Sequence, residues 1–511
     1  MYFYKKREDI SIVWYIIFFT SFIFVVSNFI NYDKFTIWFV DKDKFDIQGF
    51  VAFAFASYFL WMAVFSLVSH KYILKLISYF IIIASGMSTY FIDKYNVAID
   101  MSMLLNIAYT NQSESLTLLS WNMVYYTFFL IIIPIYIVAN TNIKYDKFFI
   151  HISKTVALFI VSFGITLAII YTNFNSIHKS ANKSNKYILY QQVPANYIGA
   201  GINIVRHYIN DNFKTKQKPI EIKGKLTSND DLVVVLALGE TSRQKNFSLY
   251  GYNKKTNPLL SKIENLHVLN GIAKYGSTIW AIPQVLSRDD IKLSTIADTL
   301  GIASSCYVNF QLYGNCGTVP EIKVSNCKYE KCYDEDVLPL FEKDLTTYKS
   351  GKKFVVLHFG GGSHGPIYQN RYPKPFEKFK PICEYADIIN NCTKDELYNS
   401  FDNTILYVDY VVSSAIETLE KSGVPYVFVY LSDHGESLLE GGRIFHGMPP
   451  GIDLPPEQAQ IPLLIKSSVS IEISKKSEYK QQELYDTILS LLSIDTKILR
   501  KDKVFIKINK K

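Results

Sequence analysis

Two acidic residues and a histidine follow apolar runs at two separate points of the sequence. Glu240 comes after the Val-rich run 232–238, and Asp433-His434 come after the run 426–431. Two carboxylates and an imidazole suit Zn²⁺ with a fourth position left open, as in catalytic zinc sites. Manganese is an alternative metal, but imidazole in a tetrahedral open site favours zinc. We therefore predict one zinc ion bound by Glu240, Asp433 and His434.

Further polar segments add groups that could act on a substrate. His364 lies in the segment Gly360–Pro366, His446 follows Asp433-His434 by about a dozen residues, and a Gly-Ser-Thr turn occupies 276–278. The two histidines could hold a second ion or a substrate phosphate. A metal lowers the pKa of a bound hydroxyl and neutralises phosphate oxygens, which makes a Thr hydroxyl a usable nucleophile. The chemistry predicted is phosphoryl transfer, which depends mainly on positioning and charge stabilisation.

The surrounding pattern predicts the sheet that must position these groups. Short apolar runs occupy 232–238, 354–358, 426–431 and 461–465, and helical patterns between them include 290–301 and 402–421. Continuous apolar strands separated by helices are typical of a parallel sheet covered on both faces. Sites in such sheets form beyond the carboxyl ends of the strands, where the polar motifs of this chain lie. We therefore predict an α/β domain with a mainly parallel sheet.

The first third of the chain has a different character. Five apolar stretches, at roughly 11–31, 47–69, 73–92, 118–139 and 155–173, are long enough to cross a bilayer, which takes about 20 residues. Buried core helices of a soluble domain are the alternative, which five such stretches in succession disfavour. The distribution of Lys and Arg in the short loops favours a cytoplasmic N-terminus. Five crossings then place the chain after about residue 174 outside the cytoplasm. The predicted organisation is a five-helix membrane domain (1–174), a connector (175–225) and an exported catalytic domain (226–511).

Cysteine usage agrees with export. All six cysteines lie between 306 and 392, and an even number confined to an exported segment indicates disulfides. Six cysteines allow 15 pairings, of which closeness in sequence favours Cys306–Cys316, Cys327–Cys332 and Cys383–Cys392. A metal cluster is the alternative, but the chain has no CxxC pair.

Composition excludes several classes of protein. The 511 residues are 49% hydrophobic and 20% charged, which excludes a disordered chain. With 24 Gly and 17 Pro, the chain is not collagen-like either. The net charge of +8 is spread along the chain and gives little support for nucleic-acid binding.

Taken together, these segments resemble one known family, the membrane-bound phosphoethanolamine transferases of Gram-negative bacteria, including those that modify lipid A and confer polymyxin resistance. The resemblance extends from the five spans to about residue 495. It is carried by GETSR at 239–243, SHGP at 363–366 with RYP at 371–373, DNTILYVDY at 402–410, and YLSDHGES at 430–437 with HG at 446–447. It implies an alkaline phosphatase or sulfatase-like catalytic domain.

The resemblance also implies roles for individual residues. Glu240, Asp433 and His434 match the metal ligands, and Thr278, five residues before Pro283, matches the nucleophilic Thr that shares the metal. Thr241 and Ser277 are nearby rivals that rank below Thr278. The remaining matches concern the substrate. His364 and His446 match residues at its phosphate or at a second zinc, and Glu436 matches a residue that lines the phosphoethanolamine site. Asn106, Thr110 and Glu114 resemble residues near the donor headgroup, with a plain solvated loop as the alternative.

The activity implied is transfer of phosphoethanolamine from phosphatidylethanolamine, through a covalent phospho-threonine, in the inner membrane with the catalytic domain in the periplasm. The expected acceptor is lipid A or another lipopolysaccharide group, with an exported protein also open. The alternatives are a phosphoglycerol transferase or lipid phosphodiesterase on the same scaffold, and a non-catalytic metal-binding membrane sensor. The intact set of ligands and nucleophile argues against the sensor.

The sequence departs from the family pattern at two places. Several relatives carry cysteines on both sides of the nucleophilic Thr, where this chain has Lys274 and Gln284. An Asn-x-x-x-Lys element at the substrate site is represented only by Asn309 with Tyr313. A sulfatase would instead need a Cys or Ser in a C/S-x-P-x-R motif, which is missing around Thr278. Without the cysteine pair, the loop that carries Thr278 is expected to be less constrained. The incomplete Asn-x-x-x-Lys element affects the expected acceptor contacts rather than the chemistry.

Overall fold

The computed structural model describes residues 9–41, 44–109, 120–184, 187–213, 223–310, 312, 314–324, 332–385 and 387–509. The described residues form two compact units, one within residues 9–210 and the other within 211–509. The first contains the apolar helices, and the second contains the α/β sheet.

Five helices of the first unit are long and apolar enough to cross a membrane, which confirms the five predicted spans. They are Ile12–Ile30, Ile47–Leu67, Leu74–Tyr95, Trp121–Asn140 and Phe148–Thr172. The last begins seven residues before the predicted span, because the segment that carries His151 and Lys154 continues the helix despite its polar side chains. Shorter helices are Tyr32–Thr36, Met101–Tyr109, Phe174–Lys183, Tyr187–Gln191 and Ala195–Phe213.

Small and polar side chains join the apolar helices. In Ile47–Leu67 the buried residues include Ala52, Ala56 and Ala63, which permit close approach of a neighbouring helix. The hydroxyl of Thr166 donates to the carbonyl of Ala56 at 3.4 Å. Asn28 is buried in the first helix, where its amide donates to the carbonyl of Val193 at 2.7 Å and accepts from the Val193 N–H at 2.9 Å. This buried amide is satisfied, as a polar group within an apolar helix must be.

An eight-stranded sheet forms the centre of the second unit. In chain order its strands are β1 (Leu232–Gly239), β2 (His267–Ile272), β3 (Ala303–Val308), β4 (Glu321–Lys323), β5 (Lys352–Phe359), β6 (Tyr426–Ser432), β7 (Gln460–Ser467) and β8 (Tyr479–Lys480). Their order across the sheet is β4-β3-β5-β1-β6-β7-β2-β8. Only β7 is antiparallel to its two neighbours, which confirms the prediction of a mainly parallel sheet.

The three central strands set the position of the polar segments. Every residue of β1, β5 and β6 is buried, as their continuous apolar sequences require. Phe359 and Ser432 both pair with Gly239, so the three strands end at the same level. The residues that follow Gly239, Phe359 and Ser432 therefore emerge side by side at one edge of the sheet.

Helices cover both faces of this sheet. Thr278–Leu286, Leu293–Thr299 and Glu483–Leu491 contribute to one core with the side chains of Val234, Leu236 and Val429. Lys394–Ser422 lies on the opposite face, where Val408 and Val411 approach Phe359 and Tyr430. The other helices of this unit are Leu338–Thr347, Ile388–Asn391 and Pro456–Ala459.

Short strand pairs lie outside the main sheet. In the first unit they are Ile10–Ser11 with Ile143–Lys144 and Val40–Asp41 with Lys44–Phe45. In the second unit they are Gly224–Leu226 with Ile494–Thr496, Ser287–Arg288 with Ile291–Lys292, Ser437–Leu438 with Ile444–Phe445, and Ile471–Ile473 with Ile506–Ile508.

Two of the three predicted disulfides lie wholly within the described residues, and both are confirmed. Cys306 bonds Cys316, and Cys383 bonds Cys392. Cys332 is also disulfide-bonded, while its expected partner Cys327 lies outside the described residues. Each observed bridge closes a short loop of the second unit.

Candidate active site

The edge formed by β1, β5 and β6 brings together the predicted metal ligands. Glu240 follows β1, and Asp433 and His434 follow β6. One ligand atom from each lies within 4.8 Å of the others, and all three residues are buried. Nε2 of His434 lies 3.8 Å from Oε1 of Glu240 and 3.2 Å from Oδ2 of Asp433. The shared level of the strand ends explains why residues nearly 200 positions apart meet here.

The hydrogen bonds of Asp433 leave one of its oxygens without a partner. Oδ1 accepts the backbone N–H groups of Thr241 at 3.0 Å and His434 at 2.7 Å. Oδ2 is buried and has no hydrogen-bond partner among the described residues. Burial of an unpaired carboxylate oxygen is costly, and a cation would relieve that cost. The donor set therefore fits a metal ion.

His434 presents its other ring nitrogen to the same point. Its Nδ1 lies 3.0 Å from the carbonyl of Gly435, which can only accept, so Nδ1 carries the proton. The lone pair of Nε2 is then free toward Glu240 and Asp433, as in a typical metal-bound histidine. Burial lowers the pKa of His434 to about 4, which keeps the ring neutral at physiological pH.

The electrostatics of the two carboxylates also favour a cation. Burial, and then the charge of Asp433, raise the pKa of Glu240 well above its ordinary value. Two buried carboxylates this close repel each other unless one is protonated or a positive charge lies between them. Zinc would supply that charge together with a preference for nitrogen and oxygen ligands.

Thr278 presents its hydroxyl to two of these ligands. It is the first residue of helix Thr278–Leu286, and its hydroxyl donates to Oε1 of Glu240 at 3.0 Å and Oε2 at 3.2 Å. The same Oγ1 lies 3.4 Å from Nε2 of His434. At the N-terminus of a helix, a group that becomes negatively charged is stabilised by the helix dipole. The position therefore suits a hydroxyl that takes up a phosphoryl group.

The two rival hydroxyls are less accessible. Thr241 donates to Oε1 of Glu240 at 3.2 Å, but it is fully buried and its φ of 57° is unusual for a residue with a side chain. Ser277 is 1% exposed and precedes the helix at the N-cap position. Thr278 is partly exposed, so of the three hydroxyls it is the one that a substrate can reach.

Two further histidines complete the cluster. The ring of His446 lies 4.7 Å from that of His364 and 4.5 Å from that of His434, between ring centres. The Gly447 N–H donates to the carbonyl of Gly276 at 2.7 Å, which ties the His446 segment to the turn before Thr278. Burial, and then the neighbouring His446 and Arg371, lower the pKa of His364 well below its usual value. Both histidines thus lie beside the predicted metal ligands.

The carboxylate of Glu436 is turned toward protein groups. It is fully buried and accepts hydrogen bonds from the Tyr368 hydroxyl on Oε1 and from Nδ1 of His446, at 3.1 Å, on Oε2. A carboxylate on Nδ1 fixes the tautomer of a histidine and raises the basicity of Nε2. The arrangement links Glu436 to the site through His446.

Of the residues expected near the donor headgroup, Asn106 lies in helix Met101–Tyr109. Thr110 and Glu114 lie outside the described residues. Their expected role stays a prediction. Tyr313, which stands where the family's Asn-x-x-x-Lys element has its lysine, also lies outside the described residues.

One residue near the site received no role in the sequence reasoning. Nε of Arg371 donates to the carbonyl of His364 at 2.9 Å. After burial and His446, its charge helps to lower the pKa of His364, and it opposes in part the rise in the pKa of Glu240 that burial causes. Arg371 belongs to the RYP segment already noted at 371–373. The sequence signal for Arg371 is its position shortly after His364, a candidate phosphate-binding residue, because arginine is well suited to phosphate recognition.

Comparison with known proteins places the chain among phosphoethanolamine transferases. Residues 57–209 match the family described as phosphoethanolamine transferase EptA/EptB, and residues 302–494 match the sulfatase family. Phosphoethanolamine transferase EptA of Escherichia coli K12 is 30% identical over 461 residues, which cover 81% of this chain and 82% of that protein. The Salmonella typhimurium EptA is 27% identical over 96% of both chains.

A solved structure shares both units of the fold. The integral membrane protein lipooligosaccharide phosphoethanolamine transferase A (EptA) from Neisseria meningitidis matches with a TM-score of 0.84 and 26% identity, over 96% of this chain and 97% of that chain. This likeness agrees with the five apolar helices and the sulfatase-like sheet described above. The chain therefore belongs to the EptA family of phosphoethanolamine transferases.

Proposed function

We propose that this enzyme takes phosphoethanolamine from phosphatidylethanolamine and transfers it, through Thr278, to lipid A or another lipopolysaccharide group. Glu240, Asp433 and His434 would hold zinc, with Thr278 as a further ligand. The observation that carries the proposal is the approach of the Thr278 hydroxyl to Glu240 and His434, at 3.0 to 3.4 Å. The acceptor is supported by the Neisseria relative, which is a lipooligosaccharide phosphoethanolamine transferase.

The proposed reaction has two halves. Oγ1 of Thr278 forms a bond to phosphorus, the bond from phosphorus to the diacylglycerol oxygen breaks, and diacylglycerol leaves with a proton. An acceptor oxygen then forms a bond to phosphorus, and Oγ1 of Thr278 leaves and regains a proton. When bound, zinc would lower the pKa of the hydroxyl and neutralise phosphate oxygens. The scheme is ping-pong, as expected for covalent catalysis.

The chain's own residues supply binding and proton transfer. His364 and His446 lie at the phosphate, or at a second zinc ion, and either could move a proton to the leaving or from the entering oxygen. Glu436 holds Nδ1 of His446 and so leaves Nε2 for the substrate. Asn106, Thr110 and Glu114 are proposed near the donor headgroup, where Glu114 would attract its ammonium group.

The proposed location rests on the Lys and Arg residues of the short loops, which favour a cytoplasmic N-terminus. The catalytic unit lies in the periplasm, and the membrane unit lies in the inner membrane. Both donor and acceptor are then lipids of the same envelope, which gives a physical reason for five spans rather than one anchor. The two disulfides observed in the catalytic unit agree with an oxidising compartment.

The donor can be tested with the full-length protein in lipid. We expect headgroup transfer from labelled phosphatidylethanolamine and little from labelled phosphatidylglycerol, because an acidic group near the headgroup favours an ammonium. Diacylglycerol release in each arm measures the first half-reaction. Release from phosphatidylglycerol alone would contradict the proposal and favour the phosphoglycerol transferase alternative. Release of free phosphoethanolamine to water, with no acceptor labelled, would indicate a lipid phosphodiesterase.

Replacement of Glu436 by Gln is expected to lower kcat about 10- to 100-fold, the usual effect of losing the carboxylate that orients a functional histidine. Tyr368→Phe is the matched control, since it removes the other hydrogen bond of the same carboxylate and leaves His446 in place. We expect a smaller effect for the control. The measurement is kcat and KM for phosphatidylethanolamine. A raised KM with unchanged kcat would mean that Glu436 contacts the headgroup directly.

A further inference from the structure

Three consecutive glycine N–H groups in the segment before His364 are bound by two side chains from elsewhere in the chain. The Gly360 N–H donates to Oδ1 of Asn309 at 2.8 Å. The N–H groups of Gly361 and Gly362 donate to Oδ1 and Oδ2 of Asp334 at 2.8 and 2.9 Å. The side chains of Asn309 and Asp334 are joined by a hydrogen bond of 2.6 Å. The backbone between β5 and His364 is thus held at every N–H of the glycine run.

The other side of the same segment lies against Glu240. The Ser363 N–H donates to the carbonyl of Glu240 at 2.9 Å. A Cβ atom at Gly362 would lie 2.2 Å from that carbonyl oxygen, and the φ of Gly362 is +41°. A Cβ atom at Gly361 would lie 2.8 Å from Oδ1 of Asp334. The segment therefore lies in close contact with both Asp334 and Glu240, with no room for a side chain at either glycine.

Asp334 has the features of a group that holds backbone and does not bind substrate. It is 1% exposed, and its hydrogen-bond donors among the described residues are backbone N–H groups and the Asn309 amide. Burial raises the pKa of Asp334, and the hydrogen bonds from the two glycine N–H groups and the amide of Asn309 act against that rise by stabilising the charged form. Charge-assisted hydrogen bonds of this kind are shorter and stronger than neutral ones. They fix the segment more firmly than a neutral side chain would.

We propose that Asp334, together with Asn309, is a positioning residue for phosphoethanolamine transfer, which fixes the Gly360–Ser363 backbone and through it His364 and Glu240. This inference rests on the proposed function, in which Glu240 binds the metal and His364 lies at the phosphate. Asp334 itself touches neither Thr278 nor the metal ligands among its described hydrogen bonds. Small displacements of His364 or Glu240 are expected to lower the reaction rate, because the reacting atoms must be aligned within a fraction of an ångström.

The test uses the zinc-loaded full-length protein in lipid with phosphatidylethanolamine. Asp334→Asn keeps the size of the side chain but turns one acceptor into a donor that faces a glycine N–H. We expect kcat to fall about 10- to 100-fold, with KM for phosphatidylethanolamine and zinc content close to wild type. Glu335→Gln is the matched control, because it neutralises the neighbouring acid without touching the glycine segment, and it is expected to keep wild-type kcat.

A second variant separates positioning from folding. Asn309→Ala removes the bond to Gly360 and the partner of Asp334, and its effect on kcat should be non-additive with that of Asp334→Asn, because both act through one segment. A kcat within twofold of wild type in both single variants would overturn the inference. The inference would also be overturned if, in both variants, kcat fell only together with a loss of bound zinc or of cooperative thermal unfolding. If wild-type protein forms no phosphoethanolamine adduct at all, the proposed function fails, and that result is distinct from these.

Discussion

Replacement of Thr278 by alanine is expected to reduce transfer on the order of 10⁴-fold or more, because the nucleophile of the covalent step is lost. The fold should be unaffected. Thr278 is the first residue of its helix, where alanine is a good helix former, and its hydroxyl bonds only Glu240 and His434 among the described contacts. The measurement is phosphoethanolamine transfer by the full-length protein in lipid, alongside its thermal unfolding.

Two comparisons make this result specific. Thr278→Ser keeps a hydroxyl at the same position and should retain much more activity than Thr278→Ala. Ser277→Ala removes a buried neighbouring hydroxyl that is expected to have no chemical role. Near wild-type transfer by Thr278→Ala, or a loss by Ser277→Ala as large as the one expected for Thr278→Ala, would move the nucleophile elsewhere.

Asp433→Asn is expected to weaken zinc binding by more than about 100-fold. Loss of a residue that only supports a metal ligand costs about 10- to 100-fold in affinity, and loss of the ligand itself should cost more. The asparagine oxygen can still accept the backbone N–H groups of Thr241 and His434, so the local backbone stays in place. The change falls on Oδ2, which has no protein partner among the described residues. Zinc content and affinity of the purified full-length protein are the measurements.

In the metal-free protein, Asp433→Asn is expected to keep or raise the thermal stability. Without zinc, Asp433 raises the pKa of Glu240 through the repulsion of two buried carboxylates, and asparagine removes that repulsion. Metal-free Asp433→Asn should therefore unfold at the same temperature as metal-free wild type or a higher one. Asp453→Asn, at an exposed aspartate after His446, is the matched control and should leave zinc binding unchanged. Stoichiometric, tightly bound zinc in Asp433→Asn would contradict the ligand assignment.

The sequence was sufficient to predict the central part of the sheet, and the reason is physical. Strands buried on both faces must be apolar throughout, so the runs that became β1, β5 and β6 stand out from the sequence. Parallel strands end at one edge, which placed Glu240 close to Asp433 and His434. The five apolar helices were predicted for a similar reason, since a bilayer demands long apolar stretches.

Strands nearer the edges of the sheet were not predicted. β2 has the sequence HVLNGI, in which exposed and part-buried positions mix, and β3 has the sequence ASSCYV, with three small residues at its start. Neither has the continuous apolar character of a central strand. Tertiary pairing with β7 and β5, which local sequence does not reveal, gives these segments their structure.

The groups that support the site were also beyond local sequence. Asp334 lies in an acidic segment, DED, that resembles an ordinary helix start, and its partners are backbone N–H groups about 27 residues later. Glu436 was assigned to the substrate by resemblance, and only the structure shows its bonds to Tyr368 and His446. The role of Thr278 came from resemblance as well. Contacts of this kind depend on the three-dimensional arrangement and carry no periodic signal.

The most direct test of the account is mass analysis of the full-length, zinc-loaded protein after incubation with phosphatidylethanolamine in lipid, without an acceptor. The account predicts a mass gain of one phosphoethanolamine, mapped by peptide analysis to Thr278, with release of an equal amount of diacylglycerol. Addition of lipid A should then remove the adduct. An adduct on another residue, or diacylglycerol release and transfer to lipid A without any adduct on Thr278, would contradict the central claim.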